Sequence, residues 1–542
     1  MISDFKPQTS NLKQSVPPSA EGLPNEPNHL NDLNIPNEQG GTMGDFDAVV
    51  IGAGNGGLTA AATMAQKGLN VLLLERHNIP GGAATSFCRG RFEFEVALHQ
   101  LSGLGTTEKP GLLRLQLDKL GVMEDLEFVE ISDLYHVATA DGFRITLKTN
   151  REETIAVLKD KFPHEKDAIQ RYFDLMASFA NDMIGAFIFR DPEPSRAKYP
   201  NLYQYALRNS KEILDQYFSD PLLKAVLSVY WGYIGVPPTR LAFAYLAMVL
   251  YQYMEFKPYH VKGGSQAMSN AILNKFICNG GTARFNCGAK KIMVHEGQIK
   301  GVITEDDDEI TTQYVVSNIS PIATYNHMMD PEHIPQDVSV EMKSRNLSTS
   351  AFTLFMGFDC EPDQLGIAES TNFLMSSTDI SNGLLDRMNR LDVKDELMVL
   401  SCYDVTDSEF SPAGTCQANV VTLKYGEPWL RIPPRQYHDV KFRCADAMLK
   451  RIYEIYPEAK HHVEEVEVGT PLTHMRYLGH PLGAIYGYEM LTKDSLFFQP
   501  GRYSPITGLS FVGGWAGDNG FEPTLRSGIS AAKSIIRRMG AE

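Results

Sequence analysis

The sequence predicts an α/β fold, a buried parallel sheet covered by helices, and three observations predict it. "FDAVVI", Phe46 to Ile51, is a short apolar run suited to a strand buried on both faces. It feeds into "GAGNGG" and then into the Ala-rich stretch Leu58 to Lys67, a strong helix former. A second apolar run, Val71 to Leu74, follows and ends in Glu75. Strand, tight turn, helix and second strand make one crossover unit of a parallel sheet.

The turn is the first element with chemistry in it. Gly52, Gly54 and Gly57 make G-x-G-x-x-G at the crossover. Gly52 allows the tight turn, Gly54 lets the backbone approach a pyrophosphate, and Gly57 lets the helix pack close to the strand. The helix N-terminus then faces the negative charge. Glu75 stands about 20 residues on, where a carboxylate accepts hydrogen bonds from a ribose diol. The unit is a Rossmann-type dinucleotide site, and the fingerprint alone fits NAD and FAD equally.

The next element is "RHNIPGGAATSF", Arg76 to Phe87, with Gly81-Gly82 soon after the acid. Then "RFEFEVALHQLSGLG" alternates apolar and polar residues like a strand, with Glu93 and Glu95 reading as surface strand positions. This order resembles the flavoprotein superfamily of phytoene desaturases, carotenoid isomerases and retinol saturases. The resemblance implies FAD, held without a covalent bond. It implies that Gly81 and Gly82 touch the pyrophosphate, with Arg76, Ala83 and Thr85 among the cofactor-binding residues, and that the following residues pass beside the isoalloxazine ring. The retinol saturase branch has a histidine similar to His99, which makes His99 the catalytic candidate. A lone histidine is otherwise a hydrogen-bonded structural residue.

The resemblance continues along most of the chain from residue 45. "YHVKGGSQAMSNAILNKFICNGGTARFNCGAKKIMVHEGQIKGVI" looks like the family's return to the flavin domain, with a hairpin through "EGQ". Ala289 falls where the family usually places Val against the adenine. In the closing "GLSFVGGWAGDNGFEPTLRSGISAAKSIIRRMG", Leu509 to Val512 reads as a buried strand and Gly513-Gly514 as a turn. A helix from Thr524 onward has small Ser527, Gly528, Ala531 and Ala532 for close packing. Arg537 and Arg538 at its end match the helix dipole. In the family this helix points at the flavin pyrimidine and ribityl chain, which assigns Gly514, Phe521 and Thr524 to the cofactor. Many relatives carry Asp where Gly514 stands, leaving the ribityl contact to backbone N–H groups or to Asp518.

The fold so implied is a discontinuous FAD-binding domain of the glutathione-reductase and amine-oxidase kind, with an interleaved α+β substrate domain. Residues 45–110, 256–330 and 485–542 are expected in the first, 111–255 and 331–484 in the second. No further G-x-G-x-x-G sits between a strand and a helix, so a dedicated NAD(P)H domain is not expected and the electron partner is open.

Composition excludes other classes. The formal charge is -16 with 21% charged residues and no dense Lys/Arg stripe, which argues against nucleic acid. Seven widely spaced cysteines without a Cys-x-x-Cys pair predict neither a zinc site nor a disulfide framework, and fit a reducing cytoplasm. No metal is expected, and "EDDDE", Glu305 to Glu309, reads as a solvated hairpin tip. Residues 1–44, dominated by Pro, Asn, Glu and Ser, read as a disordered tail without the pattern of a secretory signal. No stretch reaches the ~18 apolar residues that span a bilayer. Leu241 to Met254 is the most apolar segment and reads as a buried helix, with a membrane-surface helix as the alternative. Any membrane contact is then peripheral.

The segment Tyr230 to Tyr259 holds Trp231, Tyr233, Phe243, Tyr245, Tyr251, Tyr253, Phe256 and Tyr259. These are core residues or, collectively, the walls of an apolar tunnel. His474 and Arg476 are weaker candidates for chemistry than His99. The expected function is an FAD-dependent oxidoreductase acting on carbon–carbon bonds of a long apolar polyene, a carotenoid or retinoid, by desaturation, saturation or cis–trans isomerisation. Two alternatives stand beside it. One is a flavoenzyme of another lipid or an amine, for which Tyr486 and Trp515 supply an aromatic cage. The other is a flavin-binding protein without turnover.

Overall fold

The computed structural model describes residues 45–188, 191–494, 504–517 and 519–541. The expected tail, 1–44, and Asp518 lie outside the described residues.

Among the described residues two large sheets organise the chain. The first has five parallel strands in the order β19 (Leu509–Phe511), β13 (Val315–Ser317), β1 (Ala48–Ile51), β2 (Val71–Leu74) and β9 (Thr282–Arg284). Its strands come from distant parts of the sequence. Helix α1 (Asn55–Ala65) covers one face and is crossed there by α7 (Phe521–Met539) and α4 (Gly264–Cys278). The α1–α7 crossing is close because Gly528 lies on it: a Cβ there would sit 2.1 Å from the Gly56 carbonyl oxygen. Only glycine fits.

The second sheet has seven strands in the order β18 (Val463–Gly469), β14 (Ser350–Phe358), β17 (Cys416–Lys424), β16 (Met398–Cys402), β15 (Thr371–Met375), β6 (Asp133–Thr139) and β7 (Arg144–Lys148). All neighbours are antiparallel except β15 and β6. Alternation splits its side chains. Phe352, Leu354, Met356 and Phe358 pack under helix α5 (Pro434–Ile455), whose Cys444, Met448 and Ile452 meet them. Tyr135, Val137, Phe373 and Val399 face the opposite way, into the largest core cluster.

Smaller pairings join these layers. β3 (Ser86–Arg89) and β4 (Phe92–Glu95) form a hairpin, and β5 (Phe128–Glu130) pairs with β8 (Tyr259–Val261). β10 (Ala289–His295) and β11 (Gln298–Thr304) turn through "EGQ" as expected, and β12 (Glu309–Thr311) adds to β11. The acidic tip is tied down, since Arg284 donates to Asp308 at 2.7 Å.

Some expectations need correction. The first helix starts at Asn55, not Leu58, so Gly56 and Gly57 lie inside its first turn. The last helix starts at Phe521, not Thr524. The alternating run after Arg91 is strand only to Glu95. Glu95 is not a surface residue: it is 1% exposed, because it answers a set of buried N–H groups described below. Glu93 is exposed. Helix α3 (Phe243–Phe256) buries Phe243, Leu246, Ala247, Leu250 and Tyr253 in the core, and no described helix is long and apolar enough to cross a membrane.

Candidate active site

Two glycine loops abut at the C-terminal ends of β1 and β2. Gly52 takes φ +94°, and a Cβ on Gly57 would lie 2.0 Å from the Gly52 carbonyl oxygen. Gly54 caps α1, with no side chain bonded to the first-turn amides. Such a helix start attracts an anion. Gly81 donates its N–H to the Ala53 carbonyl at 2.8 Å and bridges Gly54, and a Cβ on Gly82 would lie 3.3 Å from the Gly54 Cα. Helix α4 holds this second loop: Ser269 Oγ donates to the Ala84 carbonyl at 2.8 Å, and Thr85 Oγ1 to Gln266 Oε1 at 2.6 Å. Ala83 is exposed at the tip.

Glu75 ends β2. Its Oε2 accepts the Ala53 N–H at 2.7 Å and its Oε1 the His77 N–H at 2.8 Å. Two main-chain donors thus aim the carboxylate and leave lone pairs for a diol. Arg76 points elsewhere: its guanidinium donates to the Arg476 and Tyr477 carbonyls at 3.1 and 2.8 Å, at the end of α6 (Pro471–Leu478). Ala289 opens β10, buried, two residues after Cys287, whose N–H bonds the Glu75 carbonyl.

The C-terminal segment closes over α1. Gly513 donates its N–H to Ser527 Oγ at 2.8 Å, and a Cβ on Gly56 would lie 2.6 Å from that nitrogen. A Cβ on Gly514 would meet Asn519 Oδ1 at 3.4 Å. Asn55 Oδ1, Asn519 Oδ1 and Trp515 Nε1 are buried without a partner among the described residues. Phe521 opens α7, and Thr524 Oγ1 donates back to its carbonyl. This first turn carries its own buried carboxylate, Glu522, balanced by Arg526 at 3.1 Å, and Pro523 offers no N–H. Paired glycine loops, an uncapped helix start, an aimed carboxylate and orphaned polar atoms fit an extended dinucleotide.

Beyond the second loop the chain reaches His99. Burial pushes its pKa down to about 4, which favours the neutral ring, and its Nδ1 has no partner among the described residues. It stacks on Tyr233, centroids 6.1 Å apart at 20°. Tyr233 in turn packs on Phe373 at 5.6 Å and on Tyr230 at 5.4 Å, and Tyr230 stacks on Tyr253 at 5.1 Å. Phe243 lies apart, among Phe179, Tyr172 and Tyr205, as core. Trp515 has the Tyr488 ring against it at 5.2 Å, and Tyr486 packs at Gly235.

A polar junction that sequence reasoning missed supports this segment. Glu95 Oε2 accepts the Ser265 N–H at 2.7 Å; Oε1 accepts Ser265 Oγ at 2.7 Å and the Ala97 and Leu98 N–H groups. Burial pushes its pKa up against these bonds. Asn419, on β17, donates to the Glu95 carbonyl and to Tyr403 Oη, and Tyr403 donates to the Leu98 carbonyl at 2.8 Å. The floor sheet thus grips the chain one residue before His99. The only sequence signal was Gln417 and Asn419 at alternate positions of an apolar strand. His474 and His480 are also held neutral, near pKa 4, by burial. His480 bonds the Ala484 carbonyl and meets Trp515 edge-on at 5.3 Å. Arg476 is exposed.

The profile of one family, described as flavin containing amine oxidoreductase, matches residues 56–536. A prolycopene isomerase from an Oncidium hybrid cultivar is 26% identical over 520 residues, covering 92% of this chain and 85% of that protein. An all-trans-retinol 13,14-reductase from Danio rerio is 24% identical, covering 82% and 78%. Among solved structures, an oxidoreductase from Methanosarcina mazei superposes with a TM-score of 0.61 at 17% identity, covering 90% and 99%. A putrescine oxidase gives 0.62 at 14%, covering 91% and 99%. The last two likenesses establish the fold alone.

Proposed function

Because the chain belongs to the flavin-containing amine oxidoreductase family, and is an FAD-dependent oxidoreductase of α/β fold, we propose that it acts on carbon–carbon bonds of a long apolar polyene, a carotenoid or retinoid. The observation that carries this reading is the aromatic wall of Tyr230, Tyr233, Tyr253 and Phe373 against His99. Flat aromatic faces suit a conjugated chain. The prolycopene isomerase and retinol reductase relatives support the same substrate class.

Gly52, Gly54, Gly57 and the Gly81–Thr85 loop would hold the pyrophosphate, Glu75 the ribose, and Ala289 the adenine. Gly514, Phe521 and Thr524 would stand at the ribityl and pyrimidine end. When bound, FAD supplies acceptance or donation of a hydride. The protein's own part is to orient the polyene on the tyrosine wall, exclude water from it, and present a neutral imidazole at His99. The five-stranded sheet with its helices forms the cofactor domain, and the seven-stranded sheet the substrate domain. Desaturation, saturation and isomerisation differ only in net redox balance. An apolar substrate is fetched from a lipid phase, and attachment there is peripheral, through apolar side chains.

The test is anaerobic incubation of the purified, FAD-loaded protein with carotenoids and retinoids, followed by chromatography. A product differing in double-bond number or geometry is expected. Unchanged polyenes alongside turnover of an amine or another lipid would overturn the substrate class.

A further inference from the structure

Among the described residues one group of mixed donors converges outside the site described above. A carboxylate oxygen of Asp359, the Cys360 thiol and a ring nitrogen of His462 lie within 4.8 Å of one another. The fold makes this meeting. β14 ends at Phe358 and β18 begins at Val463, and these two residues are paired. One residue on, the Asp359 N–H donates to the His462 carbonyl at 3.0 Å, so the two stand opposite each other. Their side chains also meet, Oδ1 to Nδ1 at 2.8 Å. Successive side chains of a regular strand diverge. Here the ladder is irregular between Gly357 and Phe358 and the chain leaves it just beyond, so Cys360 reaches the same point.

The three donors together suit a metal ion. Cys360 is 3% exposed and belongs to the core under α5, so its sulfur is fixed in place. The side chains of Asp359 and His462 are 55% and 31% exposed, which leaves a path from solvent. The Asp359 and Asp363 carboxylates both act on the thiol, and no lysine or arginine is among the groups that do. A tetrahedral ion with bonds of ~2.0–2.3 Å spaces its donors roughly 3.3–3.6 Å apart. The observed limits, 2.8 and 4.8 Å, bracket that spacing, so the donors need move little. Sulfur, nitrogen and oxygen together select zinc over magnesium or calcium, which take oxygen alone.

We propose that Asp359, Cys360 and His462 form a zinc site, with a water molecule completing the tetrahedron. Binding exchanges the Cys360 thiol proton, released to solvent, for a sulfur–zinc bond, and nothing is oxidised or reduced. The ion pins an edge. β18 is the outermost strand of the seven-stranded sheet, and its start is tied to the end of β14. The tie closes the chain between Cys360 and His462, which carries β15, β16, β17 and α5, into one long loop. Metal clips that close long loops stabilise most. The same edge seats the hairpin that leads to His99, since Arg89 and Arg91 pair with Glu467 and Glu464 of β18. The inference is independent of the polyene reading.

The experiment strips the full-length, FAD-loaded protein with a chelator and titrates it with Co²⁺, a coloured stand-in for Zn²⁺. One equivalent should give the visible bands of tetrahedral cobalt, beyond the flavin absorption, and a thiolate charge-transfer band in the difference spectrum. Zn²⁺ should abolish both. Cys360→Ala should remove the charge-transfer band. His462→Gln should weaken Co²⁺ binding by at least the roughly 10- to 100-fold that loss of an outer partner costs. Cys88→Ser, at an exposed cysteine, should change neither. Zn²⁺ at about a hundred times its dissociation constant should raise the melting temperature by about 3 °C, and leave that of Cys360→Ala unmoved. Retained flavin shows that a variant has folded; if Cys360→Ala loses its flavin, His462→Gln decides alone. Cobalt bound without a charge-transfer band, or with one that Cys360→Ala keeps, marks adventitious binding elsewhere and overturns the site. Unchanged affinity in His462→Gln, an equal zinc shift in both melting curves, or no binding at micromolar metal overturns it too.

Discussion

The two sheets build their shares of the site from different material. Around the five-stranded sheet the cradle is main chain: glycines that let loops touch, amides at the start of α1, and carbonyls gripped by α4. Over the seven-stranded sheet the contacts are made by side chains: the Asn419 amide on the Glu95 carbonyl, the Tyr403 hydroxyl on the Leu98 carbonyl, and Tyr233 on Phe373. Backbone presents the same groups whatever the sequence, so the cradle suits an invariant ligand. Side chains can be exchanged one at a time, so what they contribute can be altered by single substitutions.

The comparison is broken most severely on the backbone side. Gly57→Ala places a methyl group 2.0 Å from the Gly52 carbonyl oxygen. We expect a loss of roughly 3 kcal/mol or more and no retained flavin. Thermal melting and the flavin absorbance of the purified variant read both. A variant that keeps its flavin and melts normally would show the cradle to be tolerant, contrary to this account.

The junction between the two regions is the next largest effect. Glu95→Ala leaves the Ser265, Ala97 and Leu98 N–H groups unanswered. The cost should be roughly 2–4 kcal/mol in urea unfolding. Glu95→Gln should recover part of it, since burial already favours the uncharged carboxyl. If Gln is as harmful as Ala, the negative charge itself is required.

The smallest effect is in pH. His99, His474 and His480 each sit near pKa 4 when folded, against about 6.5 unfolded. Between those values the unfolded chain binds more protons, so stability falls as pH drops from about 6.5 to 4. Asp404 opposes this: burial raises it to about 6, so it gains stability as pH falls from 6 toward 4. Glu95 and Glu396, also raised by burial, side with Asp404, and the three histidines still predict a net acid loss. His99→Gln should flatten the fall in urea midpoint between pH 7.5 and 5 by about a third of the histidine share. A slope unchanged in that variant would mean His99 is not held neutral.

The same division explains what could be read from the sequence. Gly52, Gly54, Gly57 and Glu75 were legible because one short stretch contains the whole βαβ unit, and its geometry dictates residue types at fixed spacing. The parallel sheet and the α1–α7 packing through Ser527 and Gly528 followed from the same local logic. Glu95 was misread because its alternation in "FEFEV" is that of a half-exposed strand, while Ser265 on α4 and Asn419 on β17, which meet it, lie over 160 residues away. Asn419 is unremarkable in an apolar strand; only the fold brings it to the Glu95 carbonyl. The first helix is read late because the Gly56-Gly57 pair weakens a helix in isolation, whereas here close packing demands it; the last because Pro523, tolerated in a first turn, reads as a break.

The Thr59 hydroxyl donates to the Leu525 carbonyl across 466 residues of chain. At ribosomal speeds of ~5–20 residues per second, α1 waits on the order of a minute for the helix that covers it. Until β19 emerges, the edge of β13 that it covers is unpaired. Cofactor capture is therefore among the last events of biogenesis, and a ribosome stalled before Leu509 leaves a polypeptide with every glycine of the phosphate loop and no means of using it.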